Sequence, residues 1–293
     1  MRVLLLGADT PVGHSLRAFM PPLHRHELLL LSLDDSRWRR ERQAKKMVKS
    51  AAPDLIIDAR LISQMESADP LGQPDLERTR WLAGLVAKTD ARYVFLSSSQ
   101  VFGGSLSRPY RESDVPDALG GAGLILAQAE AELRTVLEHV VVLRLGWVFA
   151  GRGPGRFKQL LDRLREGHDI HATDCWRDCP VHTAEVARVV SGVIDQLAVG
   201  ANDKGTYHYG SAGDTGYYNF CEAVVAHASQ REPFSQAASL LKEIDASTIS
   251  AENRALDCSA IRHQFGIQQR PWRDFIERAV GRYIELYCKE GAH

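Results

Sequence analysis

No run of apolar residues in this sequence approaches the roughly 20 that a membrane-spanning helix needs. The first residues read as a strand entering a glycine turn, not as a basic segment followed by an apolar signal core. Cysteine is sparse: Cys175, Cys179, Cys221, Cys258 and Cys288 are scattered and odd in number, which argues against a secreted disulfide framework. Cys175 and Cys179 lie close together, but no second pair completes a zinc site, so no metal is expected. An excess of one charge is missing too. With 36 Lys+Arg against 37 Asp+Glu the net charge is -1, which offers no pull toward nucleic acid or an anionic membrane. The basic cluster Arg37-Trp38-Arg39-Arg40-Glu41-Arg42 is local and reads either as a solvated helix start or as a phosphate contact. There is no internal repeat and no low-complexity segment. These absences lead to the expectation of a cytoplasmic globular protein, long enough for one large domain or a domain with a smaller lobe.

What is present is a regular alternation. Residues 3–7, 27–32, 53–58, 92–97 and 140–145 read as short strands, nearly all apolar. Between them, residues 14–20, 40–51, 75–88 and 123–138 carry helical spacing. Apolar strands flanked by helices predict an α/β fold, a Rossmann-type doubly wound parallel sheet covered on both faces. Residues 157–166, 183–197, 219–228 and 272–287 also read as helices, and residues 205–210 as a late strand. No clean linker separates the halves. Residues 1–150 are therefore expected to form the nucleotide-binding domain, and residues 151–293 a mixed region that adds late sheet elements and a smaller, interleaved substrate-binding lobe.

The first strand runs into Gly7-Ala8-Asp9-Thr10-Pro11-Val12-Gly13. A glycine turn between a first strand and a first helix lets backbone amides approach a pyrophosphate, and the helix N-terminus adds favourable partial charge. Gly7, Thr10, Pro11, Val12 and Gly13 are thus candidates for a dinucleotide site; a tight turn without a ligand is the other reading. Thr10 stands where a middle glycine normally allows close approach or positive φ, which a β-branched residue resists. Pro11 removes one amide donor, and Asp9 places negative charge near the expected diphosphate. Asp34 and Asp35 end the second strand, where an acid can accept from an adenosine ribose hydroxyl. Arg37, Arg39 or Arg40 can instead pair with a 2′-phosphate, so the choice between NAD and NADP stays open.

Taken in order, several segments resemble the dTDP-4-dehydrorhamnose reductase family, a branch of the extended short-chain dehydrogenases/reductases. Pro53-Asp54-Leu55-Ile56-Ile57-Asp58-Ala59 resembles the family's PDVVINAA strand, and Leu96-Ser97-Ser98-Ser99-Gln100-Val101-Phe102-Gly103-Gly104 its ISTDYVFDG segment. Pro109-Tyr110-Arg111-Glu112-Ser113-Asp114 is similar to PYxExD, and Val142-Leu143-Arg144-Leu145-Gly146-Trp147-Val148-Phe149 to RTSWVYG. Cys179-Pro180-Val181-His182-Thr183-Ala184-Glu185-Val186-Ala187 is similar to GxPTxxxDLA, Gly205-Thr206-Tyr207-His208 to GxYH, and Ala255-Leu256-Asp257-Cys258-Ser259 to SxLDxSK. The resemblance implies an NADPH- or NADH-dependent reductase of a 4-keto sugar nucleotide. It implies Ala59 at the cofactor, Ser98 as the hydroxyl that bonds the substrate carbonyl, and Ser99, Gln100, Val101, Trp147 and His182 at the substrate.

One part of the family pattern is missing. Its YGxSKLxGE motif supplies a Tyr that donates a proton and a Lys that lowers that Tyr's pKa, and it falls on Ala122-Gly123-Leu124-Ile125-Leu126-Ala127-Gln128-Ala129-Glu130. Tyr becomes Ala122 and Lys becomes Leu126, and no Tyr or Lys lies between Arg111 and Arg134. Tyr110, His182 and His208 are the candidates for a substitute acid. Three functions follow as expectations: a catalytically degenerate binder of a nucleotide or sugar nucleotide, an active reductase with a displaced acid, or a regulatory or scaffolding subunit. The regulatory subunit of methionine adenosyltransferase resembles these reductases and gives the last reading its precedent. The resemblance also implies a homodimer.

Overall fold

The computed structural model describes residues 1–20, 25–65, 70–201 and 204–288. Its centre is a six-stranded parallel sheet. In chain order the first five strands are β1 (Arg2–Leu6), β2 (Glu27–Leu31), β3 (Leu55–Asp58), β4 (Arg92–Ser98) and β5 (Val140–Leu145). The short strands β6 (Val148–Phe149), β7 (Ile170–Ala172), β8 (Trp176–Asp178) and β9 (Val181–His182) come next, and β10 (Gly205–Tyr209) closes the sheet. The order across the sheet is β2-β1-β3-β4-β5-β10. β3, β4 and β5 are buried on both faces apart from the first residue of β4, which is why they read as unbroken apolar runs.

The helices are α1 (Pro11–Phe19), α2 (Glu41–Ala51), α3 (Arg60–Gln64), α4 (Gln73–Val86), α5 (Gly121–Val136), α6 (Arg156–Arg165) and α7 (Thr183–Ala198). α1 packs with α7, while α4 packs with both α2 and α5. Among the described residues, no helix is long and apolar enough to cross a membrane. The chain runs from β1 to β2 on one side, then crosses so that β3 pairs with the other side of β1. That reversal opens a crevice beyond the carboxyl ends of β1 and β3, where ligands of such sheets bind.

The remaining elements are α8 (Tyr217–Ala228), α9 (Ala237–Leu240), α10 (Ser259–Phe265) and α11 (Ile276–Tyr287), with strands β11 (Thr215–Gly216), β12 (Leu241–Glu243) and β13 (Glu252–Asn253). β8 lies between β11 and β13, β7 pairs with β12, and β6 pairs with β9. A second cluster of buried side chains, including Phe149, Phe157, Phe220, Trp272 and Tyr283, joins α6, α8 and α11. The larger cluster around the sheet also takes in α7 and α10 from the second half of the chain.

Candidate functional site

The glycine turn is built by three residues. Gly7 has φ +80°, a left-handed conformation that favours glycine, and an added Cβ would meet the Ala59 carbonyl oxygen at 3.3 Å. At Gly13 an added Cβ would stand 2.1 Å from the Gly7 carbonyl oxygen. Gly13→Ala is therefore expected to cost about 1–3 kcal/mol through forced backbone movement, read as a lower urea unfolding midpoint. Thr10 corrects the sequence-based expectation of strain. Its φ is -78°, in the extended region, and it acts as N-cap of α1. The Thr10 hydroxyl donates to the Gly7 carbonyl (2.7 Å) and accepts from the Gly13 amide (3.1 Å) and the Ser63 hydroxyl (2.9 Å). One amide that such a turn offers to a phosphate is thus already bonded. Pro11, the first residue of α1, has none to offer.

Asp9 does not turn its carboxylate into the turn. Oδ1 accepts the Leu33 amide at 2.6 Å and ties the turn to the end of β2. Asp34 is exposed, and Arg37 lies 3.9 Å from it while donating to Gln64 Oε1 at 3.1 Å. Trp38, expected in a solvated helix start, is instead buried with the Arg60 guanidinium 5.7 Å from its ring. Arg60 forms a buried ion pair with Asp58 (2.7 Å), and Tyr93 donates to the same carboxylate (2.7 Å). Burial opposes the Asp58 charge, but the Arg60 guanidinium and these bonds prevail and hold the carboxyl below its usual value.

The second half of the site lies at the ends of β4 and β5. The Ser98 hydroxyl accepts the Gln100 amide at 3.2 Å, capping the short turn Ser99–Val101. Ser98, Gln100 and Trp147 line one cavity together with Pro11, Val12 and Thr183. Gln100 and Trp147 also line a neighbouring cleft with Arg156, Trp176, Arg177, Asp178, Tyr217 and Arg254. The structure therefore brings Thr10's neighbours, Ser98, Gln100 and Trp147 to one place. It does not bring Val101, Ala59 or His182 to a cavity wall: Val101 and Ala59 are fully buried. His182 caps α7, accepting the Ala184 amide on Nδ1 at 3.1 Å, with its ring stacked on Phe275.

Asp178 is the functional-looking residue that sequence reading passed over. Its Oδ2 accepts the Ser99 hydroxyl at 2.7 Å, and its Oδ1 accepts the Cys179 amide (2.7 Å) and the Trp147 amide (3.3 Å). Burial pushes this carboxyl up to about 6 against the pull of those bonds. The only sequence signal was an acid beside the cysteine pair. It gained meaning once folding set it against the strand ends.

At α5 the register is fixed by contact. A Cβ at Gly123 would lie 2.0 Å from the Gln100 carbonyl oxygen, so the helix start sits directly on the Ser99–Val101 turn. Ala122 is half-buried against the sheet core, and Leu126 is fully buried within it. The candidate substitute acids are committed elsewhere. The Tyr110 hydroxyl accepts the Gly104 amide (3.1 Å) beneath a ring stacked on Phe102. His208 lies between the Tyr110 carbonyl (3.1 Å from Nδ1) and Arg144 (3.3 Å from Nε2). Burial and Arg144 push His208 down to about 3, and burial with Arg278 pushes His182 down to about 4. Both rings are neutral at pH 7.

A separate cavity of about 420 Å³ opens at the glycine turn, lined by Asp9, Thr10, Pro11, His14, Arg152 and Tyr287 among others. That volume lies at the lower end of small-molecule sites. The space beside Ser98 is about 50 Å³ and is walled by Ile62, Met65, Trp147, Phe149 and Phe157. Pro11, Ser63 and Pro154 line both spaces and form the neck between them. A glycine turn of this kind is where folds of this type hold the diphosphate of a dinucleotide, and the space beyond the neck is the narrower of the two. Among the described residues no group of three or more His, Cys, Asp or Glu could hold a metal ion.

Comparison with known proteins agrees with this fold. The chain is 25% identical over 285 residues to dTDP-4-dehydrorhamnose reductase of Aggregatibacter actinomycetemcomitans, covering 93% of this chain and 96% of that protein. It is 21% identical over 284 residues to the spore coat polysaccharide biosynthesis protein SpsK of Bacillus subtilis, covering 94% and 95%. In fold it is similar to the dTDP-4-dehydrorhamnose reductase of Bacillus anthracis crystallised with NADP, at TM-score 0.76 and 18% identity, covering 95% of this chain and 98% of that one. The corresponding protein of Clostridium acetobutylicum gives TM-score 0.78 at 16% identity, covering 96% and 99%. The family model for the RmlD substrate binding domain matches residues 1–284, and the chain belongs to that family.

Proposed function

We propose that this protein binds a nucleotide or sugar nucleotide and does not reduce it by the proton-donating chemistry of its family. The observation that supports this is the start of α5, where Gly123 packs against the Gln100 carbonyl and where the motif resemblance sets Ala122 and the fully buried Leu126 at the positions of Tyr and Lys. Hydride transfer to a ketone builds alkoxide charge, and a positioned acid contributes about 10²–10⁴-fold to such a step. Neither Ala122 nor Leu126 can donate a proton, and Leu126 brings no cation to a cofactor ribose. Ser98 remains able to bond a ligand carbonyl, with Gln100 and Trp147 beside it. In this reading residues 1–150 supply the nucleotide-binding half, and residues 151–293 supply late sheet elements and the lobe that lines the cleft with Arg156, Arg177 and Arg254.

The test is a pair of measurements on the full chain. Thermal-shift titration with dTDP-sugars is expected to raise the melting temperature, since ligand at 100 times its Kd adds about 2.7 kcal/mol. NADPH absorbance with a dTDP-4-keto-6-deoxy sugar is expected to stay flat. Substrate-dependent loss of that absorbance would overturn the reading and send the search to another acid.

A further inference from the structure

We infer that the glycine-turn cavity takes a single nucleoside diphosphate, its phosphates held by Arg152 and His14, rather than a dinucleotide that continues past the turn. This rests on the nucleotide-binding reading above and names the ligand class of one of its two halves.

The turn is poor in the donors that hold a diphosphate in this kind of fold. Pro11 has no amide hydrogen, and the Gly13 amide is bonded to Thr10. Positive charge comes from Arg152 instead, and His14, held toward its neutral form, offers a ring N–H. Arg152 and His14 both line the cavity, and Arg152 has no ion-pair partner among the described residues. Arg17 and Arg282 stand close behind. Burial, then Arg152 and Arg17, with Arg282 last, hold the His14 imidazole below its usual value, while Asp9 pulls the other way. The one carboxylate in the wall, Asp9, is bonded to the Leu33 amide at the β2 end. There it faces the place of a ribose rather than of a phosphate.

The far side of the cavity is narrowed by the loop that carries Arg152. A Cβ at Gly151 would meet the Ala279 carbonyl oxygen of α11 at 2.0 Å, and one at Gly153 would meet the Pro11 ring at 2.6 Å. The Gly153 amide donates to the Tyr287 hydroxyl at 3.1 Å, fastening the loop to α11. The loop is thus clamped between α11 and the first residue of α1, over the path a dinucleotide takes from the turn toward Ser98. Two glycines at the two contacts allow that approach; larger residues at either would hold the path open.

Calorimetric titration of the whole chain with ADP, NADH and dTDP-glucose tests this. ADP is expected to bind, and NADH to bind no more than about threefold tighter, because its second half finds no seat. Arg152→Ala is expected to weaken ADP by about tenfold or more, the loss of one charge-assisted phosphate contact, with the melting temperature of the free protein unchanged. Arg152→Lys, which keeps the charge, is expected to retain most of the affinity. NADH binding more than about tenfold tighter than ADP, or ADP affinity unmoved by Arg152→Ala, would overturn the inference. Silence from ADP with a clear signal from dTDP-glucose would overturn it too and leave the proposed function standing. NADPH consumption with a keto sugar would instead overturn the proposed function.

Discussion

Glu130→Ala is expected to cost about 3–5 kcal/mol, as removing one partner of a buried ion pair does. Glu130 is 0% exposed and Arg144 1%. The Arg144 Nη2 and Nε atoms donate to the Glu130 carboxylate at 2.6–3.1 Å, and the Ser97 hydroxyl donates to it at 2.6 Å. Arg134 adds a second cation at 3.2 Å. Deleting the carboxylate leaves the Arg144 guanidinium buried beside His208 Nε2 and the Phe102 ring, 5.0 Å away, with no carboxylate bonded to it among the described residues. Because Glu130 sits on α5 and Arg144 on β5 between β4 and β10, the loss falls on the half of the sheet next to its β10 edge. Urea unfolding of the purified variant checks it. A cost below about 1 kcal/mol would mean that water reaches Arg144 on little local rearrangement. Replacing both partners with methionine is expected to cost less than Glu130→Ala alone, since no charge is then left stranded.

The strands that carry the site were readable because each is an apolar run between helical patterns; residues 140–145 coincide with β5 to the residue. Helix starts were less so. α1 begins at Pro11, not at residue 14, because Thr10 caps it and proline is at ease in the first turn. A smaller lobe was expected in residues 151–293, but its elements escaped for a different reason. Its strands β6, β7, β8, β9, β11, β12 and β13 are two or three residues long, too short for any period to show, and most pair with partners far along the chain. In the site, the absence of any Tyr or Lys between Arg111 and Arg134 was visible from residue identity alone. The close approaches at Gly13, Gly123 and Gly153 were not, since a glycine in sequence does not announce what lies against it. Nor was Asp178, whose three hydrogen-bond partners come from three separate strand ends.

Acid is expected to destabilise this protein through two neutral buried histidines. His208 Nδ1 donates to the Tyr110 carbonyl and Nε2 accepts from Arg144, so a second proton would set two positive groups against each other. His182 uses Nδ1 as an acceptor for the α7 amide, and protonation removes that cap. In the folded state they titrate at about 3 and about 4, against 6.5 when unfolded. The unfolded chain therefore binds more protons below pH 6.5, and stability present above that value is lost as pH falls toward 4. At about 1.4 kcal/mol per pH unit of separation, the two together amount to several kcal/mol. Asp178 acts in the opposite sense. Its carboxyl titrates at about 6 when folded and 3.8 when unfolded, so the folded state binds the extra proton and gains stability as pH falls through 6. Two histidines outweigh one acid, and the net slope is a loss. Urea unfolding at about pH 7 and about pH 5 should show wild type weaker at the lower value. His208→Asn should flatten that difference, and Asp178→Asn should steepen it by removing the opposing proton. A wild-type stability that does not fall between these two conditions would mean that the two rings are not held neutral by burial, and the network around Arg144 would need to be redrawn with His208 charged.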